Sequence, residues 1–150
     1  MGYIIDDKDQ KILDVLKDNA DYTTRQIAKK TLLPVTTIHH RIKRLRKEKI
    51  IKKYSVELDY SKVGRSLLVY ILISVNLPFL KKQRKSQYDV AKEVRKFGFV
   101  ERIDIVTGGT DMVAMLRVKD VAEFDKVLLG KLQLIEGISN TQSLMVIHEE

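Results

Sequence analysis

From Leu67 onward the hydrophobic pattern changes period in a set order. It alternates over 67–76, turns helical over 87–97, alternates over 100–107 and again over 111–118, turns helical over 121–132, and alternates once more over 139–147. Strand–helix–strand–strand–helix–strand is the order of a ferredoxin-like unit, a βαββαβ sheet with both helices on one face. Capping spacing supports the helix starts: Ser86 precedes Asp89 by three residues, and Asp120 precedes Glu123 by three. Gly98 is placed to close the first helix, which should bury Val90, Val94 and Phe97; the second should bury Phe124, Val127 and Leu128.

The face of this sheet away from the helices should be polar in a monomer. Here it is apolar. Leu67, Val69, Ile71, Ile73 and Val75 share one face of the first strand, and Leu68, Tyr70 and Leu72 the other. Met112, Ala114, Leu116 and Val118 alternate with Val113 and Met115, and Leu144 and Val146 with Met145 and Ile147. At about 25 cal/mol per Å² of apolar surface, leaving such a face in water forfeits substantial stabilisation. A second copy of the sheet is the simplest cover, so a two-fold homodimer is expected.

The first sixty residues read differently. Asp6 can cap a helix with Asp9 three residues on, and Ile12, Leu13 and Leu16 form its apolar face. Thr23 and Gln26 make a second capping-box pattern ahead of a short helix ending near Lys30. Pro34 suits the first turn of a third helix, whose stripe is Ile38, Ile42 and Leu45. Three short helices with a tight link between the last two describe a helix-turn-helix. The run IIKKYSVELD that follows fits two short strands of a wing or an extended linker. The expected fold is therefore α+β: a winged helix-turn-helix domain over 1–60 and a ferredoxin-like dimerisation domain over 61–150.

Charge separates the two halves. Residues 25–53 carry eleven basic side chains and one acid, Glu48, whereas residues 63–150 carry thirteen basic and eleven acidic ones. A positive field focused on so short a segment attracts a polyanion, and a duplex is the partner a helix-turn-helix fits. With no cysteine in the chain, a disulfide framework, an iron–sulfur cluster and a cysteine-bound zinc are excluded. His39 and His40 point about 100° apart on a helix and clasp one ion poorly, so no metal site and no cofactor are expected. The longest apolar run, from Leu67, is too short to span a bilayer, and the opening residues lack the blocks of a signal peptide; a cytoplasmic location is expected, with no membrane partner.

Several motifs recur together. These are I-D-x-x-D-x-x-I-L at 5–13, I-A at 27–28, I-H-H-R-I-K-R-L at 38–45, then Ile51, Tyr54, Leu58-Asp59 and Gly64, T-G-G-T-D at 107–111, and Gly137-Ile138. In order and spacing, over essentially the whole chain, they resemble the Lrp/AsnC (leucine-responsive, or feast/famine) family of transcription regulators. The resemblance implies DNA binding, homodimers built through the second domain, and higher assemblies, often octamers. It also implies an effector pocket for an amino acid or other small molecule near the G-x-x-D turn, here Gly108, Gly109 and Asp111. On the residues alone, the two glycines permit positive φ and Asp111 can equally satisfy backbone N–H groups. The chain departs from the family at two places: Leu32-Leu33-Pro34 replaces the usual Gly-Leu-Ser, and Lys49 stands where the glycine after the third helix is usual.

Val35, Thr36, Thr37, His39 and His40 lie nearest the start of the third helix, and Thr36, His39 and His40 are the candidate readers of base edges. Arg41 can anchor a phosphate or brace the domain; Lys43, Arg44, Lys47, Lys52 and Lys53 should contact phosphates. An enzyme would need paired groups in a pocket. Asp104 and Asp111 are the closest acidic pair in the second domain, neither has a histidine partner, and Asp104 is expected to balance Arg102. No P-loop or dinucleotide motif is present, and no catalytic residue is assigned. The alternative is an architectural, weakly specific chromosomal DNA-binding protein, to which the basic loop KKQRK at 81–85 would contribute. An RNA-stacking platform is disfavoured because Tyr70 stands alone on its face.

Overall fold

A computed structural model describes residues 2–149 in two compact units, one running to Glu57 and one beginning at Leu58. In the first unit, α1 spans Asp7–Asp18, α2 Thr24–Thr31 and α3 Val35–Lys47. Both expected capping boxes form: Asp6 accepts from the Asp9 backbone N–H at 2.9 Å, and Thr23 accepts from that of Gln26 at 3.3 Å. Ile12, Leu16, Ile27 and Ile38 close the core between the helices, with Leu33, Ile42 and Ile51 packed at its margin. Pro34 precedes α3 at φ −59° and offers no side-chain cap, so the loss of serine there leaves the first turn set by the proline ring alone. At the other end Lys49 adopts φ 57°, the left-handed conformation a glycine would take without strain, and lets Ile50 N–H close on the Leu45 carbonyl at 2.9 Å. Residues 52–59 pair with no strand; of the two readings of this run, the extended linker is the one observed.

In the second unit β1 (Leu67–Val75), β2 (Val100–Ile105), β3 (Met112–Val118) and β4 (Ile138–Met145) form one antiparallel sheet in the order β2-β3-β1-β4. That is the ferredoxin-like arrangement. Helices α4 (Leu77–Lys82), α5 (Gln87–Arg95) and α6 (Val121–Gly130) complete the unit. Val69, Ile71, Ile73, Ala114 and Leu116 are fully buried in one core with Val90 and Val94 of α5 and Phe124 and Val127 of α6. The strands end within two residues of the expected limits.

The element not anticipated is α4. The basic run at 81–85 reads as a loop in the sequence, but Lys81 and Lys82 form the last turn of this helix. Asn76 caps it, accepting from the Phe79 N–H at 3.0 Å, and Pro78 sits in its first turn. Lys85 then folds back to Glu93 and Glu136, each at 3.6 Å, while Lys81, Lys82 and Arg84 stay exposed.

The opposite face of the sheet is open. Tyr70 lies across from Leu144 on one side and Met115 on the other, and Leu72 across from Val113. Tyr70 and Leu144 are exposed, and Leu72, Val113 and Met115 are half-buried. At one end of this face Arg117 is buried under Tyr60, whose ring centroid is 3.9 Å from the guanidinium, and is held by Glu149 at 2.5 and 2.8 Å.

Candidate nucleic-acid interface

α3 owes its two-sidedness to its sequence. Ile38 and Leu45 are buried and Ile42 half-buried, which turns the residues between them outward. Thr36, His39 and His40 are exposed in the first half, and Lys43, Arg44, Arg46 and Lys47 in the second. Val35 opens the helix and is exposed; Thr37 is half-buried. Lys52 and Lys53 are exposed in the connector just after it. The His39 and His40 rings lie 6.0 Å apart at 73°, an edge-on pair that does not converge on a point. Among the described residues no group of three or more histidine or acidic side chains could hold a metal ion.

Arg41 is set apart from the other basic residues. Its Nη1 donates to Asp6 at 2.6 Å and to Asp9 at 2.9 Å, so the guanidinium joins the middle of α3 to the cap of α1. Asp9 is fully buried and also accepts from the Tyr3 hydroxyl. That hydroxyl's pKa is raised, first by the hydrogen bond to Asp9. The hydrogen bond from Arg41 holds the Asp6 carboxyl down at about 2. Of the two roles open to Arg41, the structure displays the brace.

Arg44 lies over the Tyr3 ring, 4.1 Å from its centroid, and so is aligned rather than free to swing. Arg46 belongs with this surface although the pattern of α3 did not single it out. It shares a shallow depression with His39, Ile42, Lys43 and Lys47. The signal was present, since Arg46 lies three residues beyond Lys43.

The turn at 107–111 is anchored through its last two residues, Thr110 and Asp111. Asp111 accepts from the Val75 N–H at 2.8 Å through one carboxylate oxygen and from the Gln87 amide at 3.2 Å through the other. Its own N–H donates to the Ile73 carbonyl at 3.0 Å. The carboxylate therefore ties the end of β1 to the first residue of α5, and Gln87 is a member of the group that local spacing did not reveal. Gly108 takes φ 127°, a conformation that favours glycine, while Gly109 makes no use of positive φ. Asp104, the other acid of the considered pair, is bound to Arg102 at 2.6 Å.

Comparison with known proteins matches both units. Residues 5–52 fit the model for winged helix-turn-helix DNA-binding domains, and residues 69–150 the model for the Lrp/AsnC ligand binding domain. The HTH-type transcriptional regulator FL11 of Pyrococcus furiosus is 33% identical over 153 residues, covering 100% of this chain and 95% of its own. An uncharacterized HTH-type transcriptional regulator of Pyrococcus horikoshii is 30% identical over 145 residues, covering 97% of this chain and 94% of its own. A transcriptional regulator of Neisseria meningitidis, solved as its L-Met complex, superposes with a TM-score of 0.88 at 28% identity, over 97% of this chain and 92% of that one. Escherichia coli AsnC shares the fold, with a TM-score of 0.82 at 22% identity over 98% and 95% of the two chains. A DNA-reading unit and a ligand-binding unit, each matched along its length and in this order, place the chain in the Lrp/AsnC family of helix-turn-helix transcriptional regulators.

Proposed function

We propose that this chain is a cytoplasmic, sequence-specific regulator that binds double-stranded DNA as a homodimer or a higher assembly up to an octamer, under the influence of an amino acid or similar small effector. The observation that carries the reading is the outward side of α3. Thr36, His39 and His40 stand where the leading half of a recognition helix meets base edges, and Lys43, Arg44 and Lys47 follow where it meets phosphate. Lys52 and Lys53 extend the phosphate-binding row, and Val35 and Thr37 complete the leading turn. Arg41 supports this surface from behind.

The open sheet face supports the dimer. Tyr70, Leu72, Val113, Met115 and Leu144 form one apolar patch that a second copy would cover by two-fold symmetry. Two helix-turn-helix units so paired read half-sites about one helical turn, or a multiple of it, apart. An effector at Gly108, Gly109 and Asp111 is supported by the match to a ligand-binding domain and by the amino acid bound to the Neisseria meningitidis protein. Each oxygen of Asp111 accepts one hydrogen bond and keeps a further acceptor site, to which an incoming ammonium group could donate beside the Gln87 amide. Exposed Lys81, Lys82 and Arg84 favour a second reading, an architectural protein that holds DNA with little sequence preference.

Selection of bound duplexes from a random pool, repeated with each of a panel of amino acids, tests the proposal. Enrichment of a palindromic site that is sharpened or lost with one amino acid is the expected result. Equal binding to selected and random DNA at one salt concentration would favour the architectural reading.

A further inference from the structure

Leu32 combines two unfavourable features. It ends α2 at φ 58°, a conformation L side chains rarely adopt, and its side chain is 89% exposed. Neither helix packing nor backbone geometry accounts for a leucine there. Beside it, Pro34 is exposed and Val35 is 42% exposed. These three exposed apolar residues fall within the four positions that lead into α3, immediately ahead of Thr36, and mark an apolar tip there.

The two helices on either side of this tip carry basic side chains in excess, Arg41 alone among them being paired with the α1 acids Asp6 and Asp9 in the described ion pairs. Residues 25–47 contain eight basic side chains and no acid. An apolar tip between two helices of net positive charge fits a partner that is anionic outside and apolar within reach. Duplex DNA is such a partner, with phosphates at the rims of the major groove and thymine C5-methyl groups on its floor. We infer that Leu32, Pro34 and Val35 pack against thymine methyl groups and so require thymine where the leading end of α3 meets each half-site. This rests on the DNA-binding reading above and adds the base it selects.

The test uses the full chain and its selected duplex, with thymines replaced one at a time by uracil. That exchange removes the methyl group and leaves the pairing intact. Binding is followed by fluorescence anisotropy at a single salt concentration. At one or two positions per half-site the exchange should weaken binding about fourfold for each methyl lost. Leu32→Gly and Val35→Ala should bind the thymine duplex more weakly and lose sensitivity to uracil, with an unchanged salt slope. Leu32→Gly should also melt at a higher temperature than the parent chain, which separates a contact role from a structural one. Uracil that is harmless at every position would overturn the inference, as would a full uracil penalty retained in both variants. So would a Leu32→Gly chain that keeps its DNA affinity but loses self-association, because the tip would then be a protein contact. A parent chain that binds no duplex removes the DNA-binding reading itself, a different result from duplex binding without dependence on the methyl group.

Discussion

Arg41 and Asp9 meet at 2.9 Å, the arginine from the middle of α3 and the carboxylate from the first turn of α1. The Asp9 side chain is fully buried, so the pair fixes the angle at which α3 is presented. Arg41→Ala leaves that charge with the Tyr3 hydroxyl and one backbone N–H as donors. A loss of about 3 kcal/mol in unfolding free energy is expected, measured by urea denaturation. A variant as stable as the parent would remove Arg41 from the role of brace.

Lys43 should behave in the opposite way. It is exposed on the outward side of α3 with no acid bonded to it among the described ion pairs. Lys43→Ala should leave stability within about 0.5 kcal/mol of the parent while lowering the slope of log affinity against log salt by about one. A titration across salt concentrations decides this, and an unchanged slope takes the residue off the phosphate-contacting row.

Asp6 gives the fold a pH dependence of known sign. The hydrogen bond from Arg41 holds its carboxyl at about 2, against an ordinary value of 3.8. The folded chain keeps this group ionised where the unfolded chain takes up a proton. The contribution is complete above the ordinary value and is lost as the pH falls toward 2. Asp6→Asn retains a capping side chain and removes the titration. Melting temperatures followed downward from about pH 5 should fall less steeply in this variant than in the parent; parallel curves would contradict the assignment.

Gly137 sits at φ 98°, and a Cβ there would overlap Leu80 Cδ2 and lie 3.1 Å from Leu80 Cγ. Both the backbone and the space resist a side chain. Gly137→Ala should cost about 2–4 kcal/mol. Combined with Leu80→Ala, the two losses should sum to less than their separate values, because the clash disappears. Additive losses in a double-mutant cycle would show that the contact is not the cause.

Leu144 stands exposed beside Tyr70 on the open sheet face. Leu144→Lys should leave the circular dichroism spectrum unchanged and raise the dimer dissociation constant by about a hundredfold, because two unpaired ammonium groups would be buried at the interface. Sedimentation at several concentrations measures it. Undiminished self-association would move the interface elsewhere.

The features legible in the sequence are those decided within a few residues. The Asp6–Asp9, Thr23–Gln26 and Ser86–Asp89 caps depend only on spacing, and all three form. Alternation over nine residues of β1 marks both faces of the sheet. Helix α4 escaped because six residues carry no periodic signal and Pro78 reads as a break rather than a first turn. The ion pair of Arg41 with Asp9 spans 32 positions, and the hydrogen bond from the Gln87 amide to Asp111 spans 24; no local pattern distinguishes such residues from free surface side chains. Lys49 lay between these cases. Its departure from glycine was visible, but the left-handed helix end that it nevertheless adopts belongs to the folded chain.

The margins of the sheet bear on how copies of the chain can aggregate. One margin, β2, is six residues long and carries Glu101, Arg102 and Asp104. The other, β4, displays Ser139, Asn140 and Gln142. Short, charged or hydrophilic rims are poor templates for an invading strand, so growth into endless ribbons is blocked while the greasy flat side stays available. A contact made on that side by a rotation axis closes on itself and stops, so the chain can hold a sticky surface without polymerising.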